Sequence, residues 1–147
     1  MNRRPEGNAI IYCEGAFNTP NGKTTHGLVR FTNRYRLLSV VDSRYAGMDA
    51  ANVLDGKPKN IPIYASIGEA LQQSHQAGQP ATHLVVGLAP DGGRLSAEAR
   101  LDVKKAIEQG LNVDCGLHDF LSEDPEMVEL AAQHHAKIRA LKIHFRM

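Results

Sequence analysis

Six short apolar runs, rich in β-branched residues, alternate with helix-patterned segments along almost the whole chain, and few folds accept that alternation. The runs are Ala9–Cys13, Arg36–Val41, Ile61–Ala65, His83–Leu88, Leu111–Cys115 and Lys137–Leu141. Between them, Thr24–Tyr35, Ile67–Gln76, Ser96–Gln109 and Pro125–His135 carry helical periodicity. Strands that read as continuous apolar runs are buried on both faces, as happens in a parallel sheet covered by helices. The first, second and fourth runs show this most clearly, whereas the third is short and interrupted by Pro62. The expected fold is therefore α/β: a Rossmann-like, doubly wound, mostly parallel sheet of about five to six strands with helices on both faces.

Several helix ends are legible. Ser66 and Ser96 are suited to N-capping, with Glu69 three residues after Ser66 as in a capping box. Gly78 and Gly110 fall where helices should stop, and Pro125 suits a first helical position. Ser43–Asn60 supports at most a short helix before a Gly/Pro-rich loop.

At 147 residues the chain is expected to be one domain over 1–147, with tails at 1–8 and 143–147. Lys plus Arg total 17 against 16 for Asp plus Glu, and the signs are interspersed, which argues against nucleic-acid or membrane-surface partners. Cys13 and Cys115 lack the paired spacing of a zinc site and read as buried thiols in a reducing cytoplasm. No metal is expected. No apolar run approaches a membrane span.

The stretch from Gly15 to His26, GAFNTPNGKTTH, resembles a phosphate loop with altered spacing. A Walker loop needs G-x-x-x-x-G-K-[ST], so that successive amides curl around an anion. Here the spacing is G-x6-G-K-T, and Pro20 has no N–H to donate. What remains is a helix start where Asn21, Gly22, Lys23, Thr24 and Thr25 could receive a negatively charged group.

In a doubly wound sheet, ligands bind beyond the carboxyl ends of the strands. Five chain positions there gather polar and glycine residues, while the opposite strand ends look unremarkable. Asp42 ends the second strand twenty residues after Gly22, where a dinucleotide-binding domain holds its ribose carboxylate. It would equally cap the next turn or pair with Arg44. Gly92, Gly93 and Arg94 follow the fourth strand and offer either amides and a guanidinium to an anion or a plain turn. His118 and Asp119 follow the fifth strand and, with His26, are the acid–base candidates. Glu14, inside the proposed anion site, could pair with Lys23 or accept a ligand ammonium.

Four blocks in order, EGAFNTPNGKTTHGLVR, VVDSRYAGMDA, GLAPDGGRL and GLHDFLSEDPEM, resemble the N-terminal Rossmann-like domain of a bacterial and archaeal family catalogued as of unknown function. Some members of that family are described as D-glutamate N-acetyltransferases. The resemblance adds Gly47 to the site candidates above. It also implies a C-terminal P-loop domain, which this chain does not contain, so that catalysis would need that domain from elsewhere. The expected function is a ligand-binding domain or subunit related to amino-acid N-acyltransferases, taking an anionic small molecule such as acetyl-CoA, a nucleotide or an acidic amino acid. A homo-oligomer is expected. The alternatives are a non-enzymatic oligomerisation or regulatory module and a nicotinamide-dependent oxidoreductase.

Overall fold

The computed structural model of the chain describes residues 6–32, 34–88, 95–115 and 124–140. The elements run β1 (Gly7–Tyr12), α1 (Lys23–Phe31), β2 (Tyr35–Val41), α2 (Ala50–Asp55), β3 (Ile63–Tyr64), α3 (Ile67–Gln76), β4 (His83–Val86), α4 (Ala97–Glu108), β5 (Asn112–Cys115), α5 (Pro125–Gln133) and β6 (Ile138–Ala140). The six strands pair in the order β3-β2-β1-β4-β5-β6, and every pair is parallel. The expected Rossmann-like sheet is thus present, and is wholly parallel among the described residues.

The central strands earn their place by burial. Ala9 to Cys13 of β1 and its exit are essentially inaccessible, as are Leu84 and Val85 of β4. Each aliphatic side chain buried this way contributes about 1.5–3 kcal/mol. Adjacent residues on a strand face opposite ways, and the neighbours of β1 show helices on both sides. Ile11 lies beside Thr25 of α1 near Gly87, whereas the Tyr12 hydroxyl donates to Asp102 of α4 at 2.7 Å. Helix α2 packs with α1, and α3 and α5 pack with α4.

The capping signals hold. Ser66 Oγ accepts from the Glu69 amide at 3.1 Å and Ser96 Oγ from the Ala99 amide at 3.1 Å. Pro125 opens α5 behind an Asp124 cap, and Gly78 and Gly110 follow α3 and α4 with φ of 72° and 84°. The Ser43–Asn60 segment holds a 3-10 turn at Ser43–Tyr45 and the short α2, as its composition suggested.

Several boundaries differ from expectation, among them β3, which is Ile63–Tyr64 rather than Ile61–Ala65, and α5, which ends at Gln133 rather than His135. Gly7 and Asn8 are not tail but open β1, because the Asn8 amide donates to Thr82 Oγ1 at 2.9 Å and ties the strand to the approach of β4. The expected tail at 143–147 lies outside the described residues. Helix α1 stops at Phe31, well before Tyr35, because the Tyr35 side chain is buried at the start of β2, in register with Gly7. Lys59 Nζ meets the freed carbonyls of Val29 and Arg30 at 3.4 and 3.2 Å, a favourable charge for a helix C-terminus. Strand β4 ends at Val86, where the Gly87 amide turns to the Tyr12 carbonyl at 2.9 Å.

Candidate functional site

Strand order reverses between β1 and β4, so the crevice rule points to the loops that leave their carboxyl ends. The loop after β1 does not cradle an empty anion site with its amides. It folds on itself: Thr19 caps a 3-10 turn at Pro20–Gly22, taking the Asn21 amide on Oγ1 at 3.2 Å and the Gly22 amide on its carbonyl at 3.0 Å. Gly22 is glycine for lack of room, since a Cβ there would lie 2.5 Å from the Ala16 carbonyl oxygen.

Thr25 and His26 also turn inward. Thr25 is fully buried and its Oγ1 donates to the Gly87 carbonyl at 2.9 Å, joining α1 to the end of β4. His26 Nε2 accepts the Asn18 amide at 3.2 Å, and its ring meets Phe17 edge-on at 5.8 Å. Burial, assisted by Arg30, lowers the His26 pKa and keeps the ring neutral, as an acceptor nitrogen must be. Of the respaced motif, Lys23 is exposed on the first turn of α1, with Asn21 and Thr24 half-exposed beside it.

Asp42 both caps and pairs. Its Oδ1 accepts the Arg44 amide at 3.0 Å and Arg44 Nε at 3.2 Å, while Oδ2 accepts the Phe17 amide at 3.0 Å and Arg44 Nη2 at 2.9 Å. A carboxylate offers about four acceptor positions, and protein donors occupy four at Asp42. A ribose hydroxyl would have to displace one of them, so the residue that carried the nicotinamide reading is engaged internally. Arg44 Nη2 also donates to the Phe17 carbonyl at 2.8 Å, so this ion pair grips both backbone groups of Phe17. Glu14 takes the Ser43 amide at 2.7 Å and the Ser43 hydroxyl at 2.7 Å instead of Lys23. Gly47 adopts φ 88° in a turn whose amide reaches the Ile63 carbonyl at 2.9 Å, a conformation that favours glycine. Gly92, Gly93, Arg94, His118 and Asp119 lie outside the described residues.

The opposite strand ends are far from unremarkable, contrary to expectation. Register aligns Ile11, Val85, Asp114 and Arg139 across the sheet on the α1 face, with Ala9 and His83, then Gly7 and Tyr35, in the rows nearer the strand starts. Asp114 is fully buried and forms a double hydrogen bond with Arg139, Nε to Oδ1 at 2.8 Å and Nη2 to Oδ2 at 2.9 Å. The Tyr35 hydroxyl also donates to Asp114, and Glu6 joins Arg34 and Arg139 at the rim. Burial alone would raise the Asp114 pKa, but the hydrogen bonds from Arg139 and Tyr35 outweigh it and hold the carboxyl below its ordinary range. The signal in the sequence was a charge inside an otherwise apolar strand, Asp114 in LNVDC, matched by Arg139 in KIRAL; a buried charge demands such a partner.

The cluster predicts acid sensitivity. Burial lowers the His83 pKa against the opposing pull of Asp114 and Glu6, so the unfolded chain binds a proton there before the folded one does. Stability from His83 is full above its unfolded value of about 6.5 and is lost as pH falls below it. Asp114 and Glu6, both lowered, add a second loss below their ordinary values of 3.8 and 4.5. Thermal melts should therefore fall from neutral to mildly acidic pH, and a His83→Asn variant should flatten that first decline. An equal decline in the variant would remove His83 as its cause.

Cys13 and Cys115 are buried thiols with no disulfide between them, and burial pushes the Cys13 thiol up to about 12. Such a thiol is not a nucleophile at neutral pH. Among the described residues no helix is long and apolar enough to cross a membrane, and no three His, Cys, Asp or Glu side chains gather as metal ligands.

The model of a family of unknown function, DUF1611_N, described as a Rossmann-like domain, matches residues 43–143. The chain belongs to this family. The four sequence blocks had pointed there, although the family match begins after the respaced loop. A DUF1611 family protein from Anabaena variabilis superposes with a TM-score of 0.78 at 25% identity, over 93% of this chain and 37% of that one. A D-glutamate N-acetyltransferase from Tritonibacter scottomollicae is 34% identical over 61 residues, 42% of this chain and 18% of that protein. A homoserine dehydrogenase from Thiobacillus denitrificans has the same fold, with a TM-score of 0.57 at 18% identity over 93% of this chain and 29% of that one. The chain thus spans well under half the length of the family relatives it matches.

Proposed function

We propose that this chain is the ligand-binding Rossmann-like part of an N-acyltransferase related to the D-glutamate enzyme. It holds an anionic small molecule, an acyl-CoA, a nucleotide or an acidic amino acid, at the carboxyl edge of the sheet near Lys23. Catalysis is completed by a separate P-loop domain. One observation carries the reading: Glu14 and Asp42, the carboxylates beside the loop, are bound to Ser43 and Arg44, while Lys23 stands exposed on the first turn of α1 with no ion pair to any described residue. The helix dipole adds to that positive charge. Arg94 and the His118-Asp119 pair, which follow β4 and β5 in the sequence, are the further candidates for this site.

Calorimetry with acetyl-CoA, ATP and D-glutamate tests this. At least one should bind, and Lys23→Ala should weaken it by about tenfold to a hundredfold, the worth of one charge-assisted hydrogen bond. The same exposed substitution should leave stability within about 0.5 kcal/mol. A folded protein that binds none of the three would overturn the reading.

A further inference from the structure

The two edges of the sheet are finished differently. Beyond β3 the chain runs back along its own strand: the Gly47 amide donates to the Ile63 carbonyl at 2.9 Å, the Ile63 amide to the Met48 carbonyl at 3.0 Å and the Ala50 amide to the Ile61 carbonyl at 2.8 Å. That edge is covered. Strand β6 pairs with β5 on one side and with no described residue on the other. The Val113 amide donates to the Lys137 carbonyl at 2.8 Å, which in a parallel ladder turns the amide and carbonyl of Arg139 toward β5 and those of Ile138 outward. Such an edge is a template for another strand.

Apolar surface borders the same edge. On α5, Met127 and Ala131 face the core, and Glu126 forms ion pairs with Arg100 and Lys104 of α4. Residues two apart on a helix point about 200° apart, so Val128 lies on the flank of α5 away from α4. Helix α4 leads into β5 and α5 into β6, so that flank looks over the open side of β6. Val128 is 44% exposed there, and Ala132, one turn later, is exposed as well. Ile138, half-buried, projects to this same face of the sheet, opposite to Arg139.

The charges select the occupant. Alternation places Lys137 with Arg139 on the α1 face. Lys137 is exposed and has no ion pair to any described residue, and the Arg139 side chain keeps 39% of its surface exposed after meeting Asp114 and Glu6. A second copy of this chain, added by a two-fold axis normal to the sheet, would bring these cations against themselves, and like charges facing across strands repel. A strand with acidic side chains on that face meets them favourably, while apolar side chains on its other face cover Val128 and Ile138.

We infer that the open side of β6 takes an extended segment of a partner protein as a seventh strand, one whose side chains alternate between acidic and apolar. The inference is independent of the anion site near Lys23.

Titration of the ¹⁵N-labelled full chain with the blocked hexapeptide Val-Glu-Val-Glu-Val-Glu, and separately with Val-Lys-Val-Lys-Val-Lys, tests it. The acidic peptide should produce saturable shifts at the Ile138 and Ala140 amides, and the basic peptide should bind about tenfold more weakly or not at all. Lys137→Glu should reverse that preference. Val128→Asp should weaken the acidic peptide by about tenfold, and since both positions are exposed each variant should melt within a few degrees of the parent. Lys23→Ala should alter nothing at this edge. Absence of saturable shifts with the acidic peptide, equal affinity for the two peptides, or an unchanged preference in folded Lys137→Glu protein would overturn the assignment. Shifts at Ile138 that grow with protein concentration alone would overturn it in favour of a second copy.

Discussion

Replacing Asp114 by alanine is expected to cost about 2–4 kcal/mol. Breaking a buried ion pair by deleting one partner costs roughly 3–5 kcal/mol when the other charge stays trapped. Here the surviving guanidiniums are not fully trapped, since the Arg139 and Arg34 side chains are 39% and 32% exposed and can turn to water. The Tyr35 hydroxyl cannot escape as easily, because its residue is 4% exposed and loses its acceptor. That orphan adds about 1–3 kcal/mol, which keeps the total well above an ordinary surface substitution. Urea unfolding of the variant reads the loss directly. A Tyr35→Phe companion should recover part of it in the double mutant, because the stranded hydroxyl is then gone. A loss below about 1 kcal/mol for Asp114→Ala would mean that the cluster is ornamental to stability.

The second large effect is expected at Asp42. Alanine there removes the cap of the 3-10 turn, the grip of Arg44 and the acceptor of the buried Phe17 amide. A lost cap costs about 0.5–2 kcal/mol and a stranded buried amide about 1–3 kcal/mol. Allowing for the 43% exposure of the Arg44 side chain, the sum is about 2–4 kcal/mol. Unlike the loss at Asp114, this one should be accompanied by movement of the loop after β1. Hydrogen exchange at Phe17 and Asn18 should accelerate well beyond what global destabilisation produces, because the clamp on Phe17 and its edge-on contact with His26 are released together. Asp42→Asn should be milder, since the amide oxygen can still accept one of the bonds. Uniform loss of protection across the sheet, with no excess at this loop, would show that the clamp is not local.

These two carboxylates show how far sequence reading reaches. Asp42 ended an apolar strand and stood two residues before Arg44, so both of its roles, cap and ion pair, were available from local spacing. Asp114 could not be read that way. Its partners Arg139 and Tyr35 are 25 and 79 residues distant, and only parallel pairing in register brings them to one face. The respaced loop was similarly half legible. Its departure from Walker spacing and the presence of Pro20 argued against a phosphate cradle, and the amides of Asn21 and Gly22 are indeed spent on Thr19. That Thr25 and His26 face inward while Lys23 faces out depended on where α1 lands against β1 and β4.

The bulge at Leu38 had no trace in the sequence. It exists only after β2 has paired with β1, Ala9 with Leu37 and Ile10 with Ser39.

What the sequence determined by itself was local and periodic. Apolar runs of strand length, the caps at Ser66 and Ser96, the stops at Gly78 and Gly110 and the proline at the head of α5 specify elements through contacts among near neighbours. Four motif blocks then placed the chain in its family. What only the tertiary structure decided was which distant charges meet and which loop groups are already engaged. Those outcomes depend on register and on the angle at which helices meet the sheet. A single chain of letters records no distance between residues that are far apart along it.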